Sequence, residues 1–212
     1  MFKLLDSDIS IVDMNKHLSK YGVQYIDQKD IDSMKTVLKG EFLTTGPFVR
    51  NFERLFSKEV KSKYALSCSN GTAALHLSLK ALGIGKNDMV IVPTITFVAT
   101  LNAILMSGAI PILSDVNEST GLIEEKNIIE ILNNIPPGTK IKAIIVVHLN
   151  GNIVDVSKIK KLFKKIRIIE DSCHAIGSFK RVGKKIIRIG SCYNSDLATF
   201  SFHPVKTITT GE

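Results

Sequence analysis

Lys206, Asp171 and the short segment around Thr72 are the positions of this chain whose surroundings suit chemistry. Lys206 ends Phe200-Ser-Phe-His-Pro-Val-Lys206, just after the apolar run that starts at Leu197. Asp171 closes Ile168-Ile-Glu-Asp171, and Ser69-Asn-Gly-Thr-Ala-Ala74 stands between a strand-like and a helical stretch. A desolvated lysine amine attacks aldehydes and can afterwards serve as a general base. A carboxylate at the carboxyl end of a buried strand lies where open α/β sheets bind ligands, and it can pair with a protonated ring nitrogen. The N–H groups of a helix's first turn, aided by its dipole, hold a phosphate. An amine, a carboxylate and a phosphate cradle are together what pyridoxal 5′-phosphate requires.

Each part has a plainer reading alone. Thr72 suits an ordinary helix cap, and Asp171 a cap for a helix from Ser172 onward. His174 is more often a structural histidine, and a lysine is most often a surface residue. The glycine segment is no Walker motif and lacks the Gly-x-Gly-x-x-Gly of a dinucleotide fold. Yet His174 lies three residues beyond Asp171 and Ser201 five before Lys206, so both can approach the same ligand. Cys68, Cys173 and Cys192 show no pairing or zinc spacing and are expected to be buried or partly buried free thiols. No base is arranged around Cys173 for a nucleophile, and no metal site is expected.

The elements that must position these groups alternate in period. Residues 27–39 carry Ile31, Met34 and Leu38 on one helical stripe, and Phe48 to Val60 forms a second amphipathic helix after the loop Glu41–Pro47. A short strand is expected at Tyr64–Ser67 and a helix at Thr72–Leu82, closed by Gly83. Strands Met89–Val92, Ile110–Leu113, Ile141–Val147 and Ile166–Ile169 alternate with helices at Phe97–Ser107, around Lys126–Asn134 and in the lysine-rich stretch from Ser157. Continuous Val/Ile runs between helices predict an α/β fold, a mostly parallel sheet covered on both faces.

Composition narrows the classes. The chain has 212 residues, 44% of them hydrophobic and 23% charged, as in an ordinary globular protein. No run is apolar enough to span a bilayer and the first residues suit no secretory signal, so the cytoplasm is the expected compartment. The formal charge of +8 invites a nucleic-acid reading. Its densest run, Lys158 to Arg167, is broken at helical spacing by Ile159, Leu162, Phe163 and Ile166, which predicts the wet face of an amphipathic helix. No base-stacking aromatics accompany it, and neither nucleic acid nor membrane is expected as a partner.

The ordered motifs from Tyr21 onward resemble the DegT/DnrJ/EryC1/StrS sugar aminotransferases, fold-type I pyridoxal phosphate enzymes. They are Leu43-Thr-Thr-Gly-Pro47, Ser69-Asn-Gly-Thr-Ala-Ala-Leu-His76, Val92-Pro-Thr-Ile-Thr-Phe-Val-Ala-Thr100, Val147-His-Leu-Asn-Gly151, Glu170-Asp-Ser-Cys-His-Ala-Ile-Gly177 and Phe200-Ser-Phe-His-Pro-Val-Lys206. The resemblance implies a three-layer α/β/α large domain at residues 27–212, preceded by an N-terminal arm at 1–26. It implies Lys206 as the residue that condenses with the cofactor aldehyde, Asp171 as partner of the pyridine nitrogen, and Phe97 stacked on the ring. His174 would lie near the ring's phenolic side, and Thr72, Ala73 and Ser201 would hold the phosphate. Thr45 and Gly46 would border a nucleotide-sugar pocket. A lysine at 206 argues against the related 3-dehydrases, which carry histidine there. The implied reaction moves an amino group from L-glutamate to a 4-keto-6-deoxy sugar nucleotide, within a homodimer. Family members are usually much longer, so a small C-terminal domain is expected to be absent, with weak cofactor binding and little turnover from this chain alone.

Overall fold

The computed structural model describes residues 22–211. The expected N-terminal arm lies outside these residues except for positions 22–26. In chain order the elements are α1 (Gln28–Leu38), α2 (Pro47–Val60), α3 (Gly71–Ala81), β1 (Met89–Pro93), α4 (Val98–Ser107), β2 (Ile110–Ser114), α5 (Glu125–Asn134) and β3 (Ile141–Val147). A 3-10 turn (Leu149–Gly151), α6 (Val156–Leu162), β4 (Arg167–Asp171), the hairpin β5 (Phe179–Val182) and β6 (Lys185–Arg188), and β7 (Leu197–Thr199) follow.

The main sheet runs β2-β1-β3-β4-β7, and every pairing in it is parallel. Successive residues of its strands serve two separate cores. Val90, Val92, Ile145 and Ile169 pack with Leu75 and Leu79 of α3 and Ala103 and Ile104 of α4. Ile91, Ile144, Val146 and Ile168 pack with Ile128 of α5 and Ile159 of α6. Both faces are therefore apolar, which is why the strands read as unbroken Val/Ile runs. This is the three-layer α/β/α arrangement expected.

That topology makes a crevice. The chain leaving β1 turns into α4 on one face, whereas the chain leaving β3 continues to α6 on the other. Beyond the carboxyl ends of these neighbouring strands, diverging connections leave the space in which open α/β sheets hold ligands. The segment after β7 is brought to that end by aromatic packing. Phe200 lies edge-on to Phe56 of α2 with centroids 5.0 Å apart, and Phe202 meets Phe52 and Phe56 at 5.3 and 5.5 Å. The apolar stripe of α2 thus anchors the loop carrying Ser201 and Lys206. Gly190 lies against Phe200 at φ +88°, where a Cβ would come within 2.6 Å of the ring. Glycine is required there by conformation and by space.

Three expectations need correction. Tyr64–Ser67 is not a paired strand; the Ser67 N–H and hydroxyl both bond the Glu53 carboxylate, and Leu66 is 90% exposed. The lysine-rich helix is short. It ends at Leu162, and Lys164 and Lys165 lie in the turn into β4. Among the described residues no helix follows Asp171, which removes the plain capping role for that carboxylate.

Candidate active site

The expected phosphate-binding segment is the start of α3. Asn70, not Thr72, caps the helix: its side-chain oxygen accepts the Ala73 N–H at 2.9 Å. Ala73 therefore has its donor engaged, and Gly71 and Thr72, the first two residues of the helix, keep N–H groups with no intrahelical acceptor. The first turn packs directly on the loop after β7. A Cβ on Gly71 would lie 3.1 Å from Ser201 Cβ and 3.4 Å from Cys173 Sγ. The Ser201 hydroxyl thus stands beside this helix start, where it accepts the His203 N–H at 3.3 Å.

Asp171 ends β4 with 6% of its surface exposed. Its Oδ2 accepts the hydroxyl of Thr100, in the first turn of α4, at 2.8 Å, and its Oδ1 accepts the Cys173 N–H at 3.3 Å. Among the described residues no ion pair serves this carboxylate. A buried carboxylate held by hydroxyl and amide donors is prepared for a cationic ring nitrogen.

Lys206 reaches the same place from the loop after β7. Its Nζ lies 2.9 Å from His174 Nε2 and 6.0 Å from the centroid of Phe97. Phe97 caps α4 and is 67% exposed, so one face of the cleft is open. The Asn150 N–H points at His174 Nδ1 from 3.5 Å. Burial, and then the Lys206 ammonium, hold the His174 imidazole below the usual histidine value, with Asp171 opposing. Unfolded, this histidine takes a proton as pH falls through about 6.5, whereas the folded chain resists it. The fold should therefore lose stability as pH drops below that value, ahead of the loss from Asp155 and Asp196, whose depressed pKa values act at lower pH. Urea midpoints across this interval check it, and His174→Gln should flatten the upper part of the decline.

Beneath the site lies a polar lock that spacing did not single out. His148 is fully buried; its Nε2 lies 2.8 Å from Glu170 Oε2 and its Nδ1 accepts the Val154 N–H at 3.1 Å. Since Nδ1 accepts, Nε2 carries the proton and donates it to Glu170. The Ser195 hydroxyl bonds the other Glu170 oxygen, and the His148 N–H bonds the Asp171 carbonyl at 3.0 Å. The ends of β3 and β4 and the approach to β7 are thus tied together directly under Asp171. A separate recess, lined by Asp155, Lys180, Arg188 and Tyr193 among others, shares Glu170 with this lock but none of the cleft residues.

Lys206, His174, Phe97, Asp171, Ser201 and the start of α3 thus converge. Thr45, in the left-handed region at φ 52°, and Gly46 lie in the turn before α2, and none of these contacts reaches them. Cys173 and Cys192 are partly buried free thiols as expected, but Cys68 is exposed. Burial and the Asp171 carboxylate push the Cys173 thiol up, which keeps it protonated and without a nucleophile's role. The donor set fits pyridoxal phosphate: free helix-start N–H groups beside a serine at one end, an amine in the middle and a buried carboxylate deeper in.

The family model for DegT/DnrJ/EryC1/StrS aminotransferases matches residues 24–212. The chain belongs to this family. It is 42% identical over 194 residues to the UDP-4-amino-4,6-dideoxy-N-acetyl-beta-L-altrosamine transaminase of Campylobacter jejuni subsp. jejuni serotype O:23/36, covering 91% of this chain and 49% of that one. It is 43% identical over 169 residues to the GDP-perosamine synthase of Escherichia coli O157:H7, covering 79% and 43% respectively. Among solved structures, Spr1654 of Streptococcus pneumoniae in its PLP form matches with a TM-score of 0.78 at 29% identity, over 91% of this chain and 51% of that one. Helicobacter pylori PseC, described as an aminotransferase of pseudoaminic acid biosynthesis, matches with a TM-score of 0.77 at 30% identity, over 91% and 50%. The chain therefore spans about half the length of the relatives it matches. Pyridoxal 5′-phosphate is the family's cofactor, and the convergent residues suit it. Among the described residues no helix is long and apolar enough to cross a membrane.

Proposed function

We propose that this chain is the cofactor-binding large domain of a sugar-nucleotide aminotransferase that moves an amino group from L-glutamate to a 4-keto-6-deoxy sugar, with a UDP-linked sugar as the favoured acceptor. The observation that carries the reading is the meeting of Lys206, His174 and Asp171 at the crevice, with the Lys206 amine 2.9 Å from His174. The UDP preference is supported by the Campylobacter relative, and the GDP-perosamine relative keeps a GDP-linked sugar as the competing acceptor.

The cofactor supplies an aldehyde for covalent attachment and a ring that draws electrons from the substrate carbon. The protein's own groups do the rest. Asp171 keeps negative charge at the ring-nitrogen end, and Phe97 presents a flat wall. Gly71, Thr72 and Ser201 hold the phosphate. Lys206 would hold the cofactor covalently and, from a position already fixed by its loop, its Nζ would carry a proton as general acid and base. His174 sits within hydrogen-bond reach of that amine. Thr45 and Gly46 border the sugar-nucleotide side. A second copy of the chain is the partner we assign to the open face at Phe97 and Val98, both of which are exposed.

The test is an absorbance spectrum of the protein with pyridoxal phosphate, followed by borohydride reduction and peptide mass analysis. A visible band near ~410–430 nm and an adduct mapped to Lys206 are expected. After L-glutamate has removed the band, a UDP-linked keto sugar should perturb the spectrum by restoring it more than its GDP-linked counterpart does. No adduct, or one on another lysine, overturns the reading; equal perturbation overturns the nucleotide preference alone.

A further inference from the structure

We propose that Thr100 is a positioning residue for Asp171, and that Thr96 and Thr100 form a one-way hydroxyl chain that orients this carboxylate toward the ring nitrogen of the cofactor. The inference rests on the reading of the site above and goes beyond it, because neither threonine touches the amine or the helix start.

The geometry sets the direction of the chain. Thr96 Oγ1 lies 2.8 Å from Thr100 Oγ1, which lies 2.8 Å from Asp171 Oδ2. An ionised carboxylate only accepts, so the single hydroxyl proton of Thr100 points at Asp171. The Thr100 oxygen is then left as an acceptor, and the Thr96 proton fills it. Hydrogen bonds aligned in one sense polarise one another, most of all where water is excluded. Thr100 has no exposed surface and Asp171 has 6%, so water does not substitute for the missing donor.

The placement is equally specific. Thr100 sits in the first turn of α4, with its N–H bonded to the Phe97 carbonyl at 3.0 Å. One turn therefore offers Phe97 toward Lys206 and the Thr100 hydroxyl toward Asp171. With Oδ2 fixed by Thr100 and Oδ1 facing the Cys173 N–H, the carboxylate plane has one orientation before any ligand arrives. A valine matches threonine in shape but lacks the donor, so it separates this role from packing.

The experiment compares wild type, Thr100→Val and Thr100→Ser for binding of pyridoxal phosphate and of its 1-deaza analogue, which has carbon in place of the ring nitrogen. Thr100→Val should weaken binding of pyridoxal phosphate by about tenfold, the scale of one hydrogen bond to a charged group, and leave the analogue nearly unchanged. Thr100→Ser should restore the wild-type value. Equal weakening of both ligands, or none, overturns the proposal. A cofactor-free arm separates this from failure of the functional reading: a double-mutant cycle of Thr100→Val with Asp171→Ala on the unfolding equilibrium. A coupling of about tenfold supports the contact even if no Lys206 adduct forms, and additive effects overturn it.

Discussion

Lys206→Ala is expected to abolish the visible cofactor band and the borohydride-fixed adduct, leaving at most a weakly held, removable cofactor. Half-buried, the amine is held between His174 Nε2 at 2.9 Å and the Phe97 ring, with its centroid at 6.0 Å. Its loop is fixed at its root by the Phe52, Phe56, Phe200 and Phe202 cluster, so another lysine cannot drift into its place. Lys206→Arg sharpens the result. It keeps the positive charge, but a guanidinium stays protonated and cannot attack an aldehyde. If charge beside His174 were what mattered, arginine would preserve binding; if the nucleophile matters, both variants lose the adduct. If the proposed amino transfer is measured, loss of this amine should lower turnover by about 10²–10⁴-fold, with small amines restoring part of it. Spectra at matched cofactor concentrations and mass analysis of the reduced protein decide between these outcomes.

Much of this arrangement is legible in the sequence because buried parallel strands and helix ends leave local marks. Runs such as Met89–Val92 and Ile141–Val147 have nowhere to go but a sheet covered on both faces, and Gly108 ends α4 in the left-handed conformation expected of a helix-closing glycine. Lys206, Asp171 and His174 stand out by their places at the ends of such runs. What escaped depends on partners far along the chain. Thr100 is one more threonine near a helix start until the fold brings Asp171, 71 residues away, within 2.8 Å. Asn70 and Thr72 are both good caps, and only backbone geometry selects Asn70. Tyr64–Ser67 has strand-like residues but no strand beside it, and the Glu53 side chain takes its hydrogen bonds. The β5–β6 hairpin has only a faint local signal, Gly183, which turns at φ +59° between Val182 and the pair Ile186-Ile187. His148 lies inside the motif Val147–Gly151, yet nothing local shows that its partner is Glu170.

That pair gives the largest expected effect on stability. His148→Ala should cost about 3–5 kcal/mol, combining a lost donor to a buried carboxylate with the cavity left by the ring. The imidazole is completely buried and Glu170 is 5% exposed, so water does not replace the lost bond without opening the fold. Neutral imidazole donating to carboxylate, as the Val154 N–H at Nδ1 dictates, makes this a charge-assisted hydrogen bond more than an ion pair. A sharper consequence follows for Glu170→Gln. The amide oxygen can accept from His148 while its nitrogen donates to the Ser195 oxygen, so the lock persists at a cost of about 1 kcal/mol. Glu170→Leu leaves both His148 Nε2–H and the Ser195 hydroxyl without acceptors and should approach the cost of His148→Ala. Urea unfolding of the three variants checks this ordering; equal losses for glutamine and leucine would show that charge, not hydrogen bonding, holds the strand ends. The backbone N–H of residue 148 keeps its bond to the Asp171 carbonyl in every variant, so a loss of cofactor binding in the destabilising variants would report loosening of the strand ends beside Asp171, whereas Glu170→Gln should retain binding.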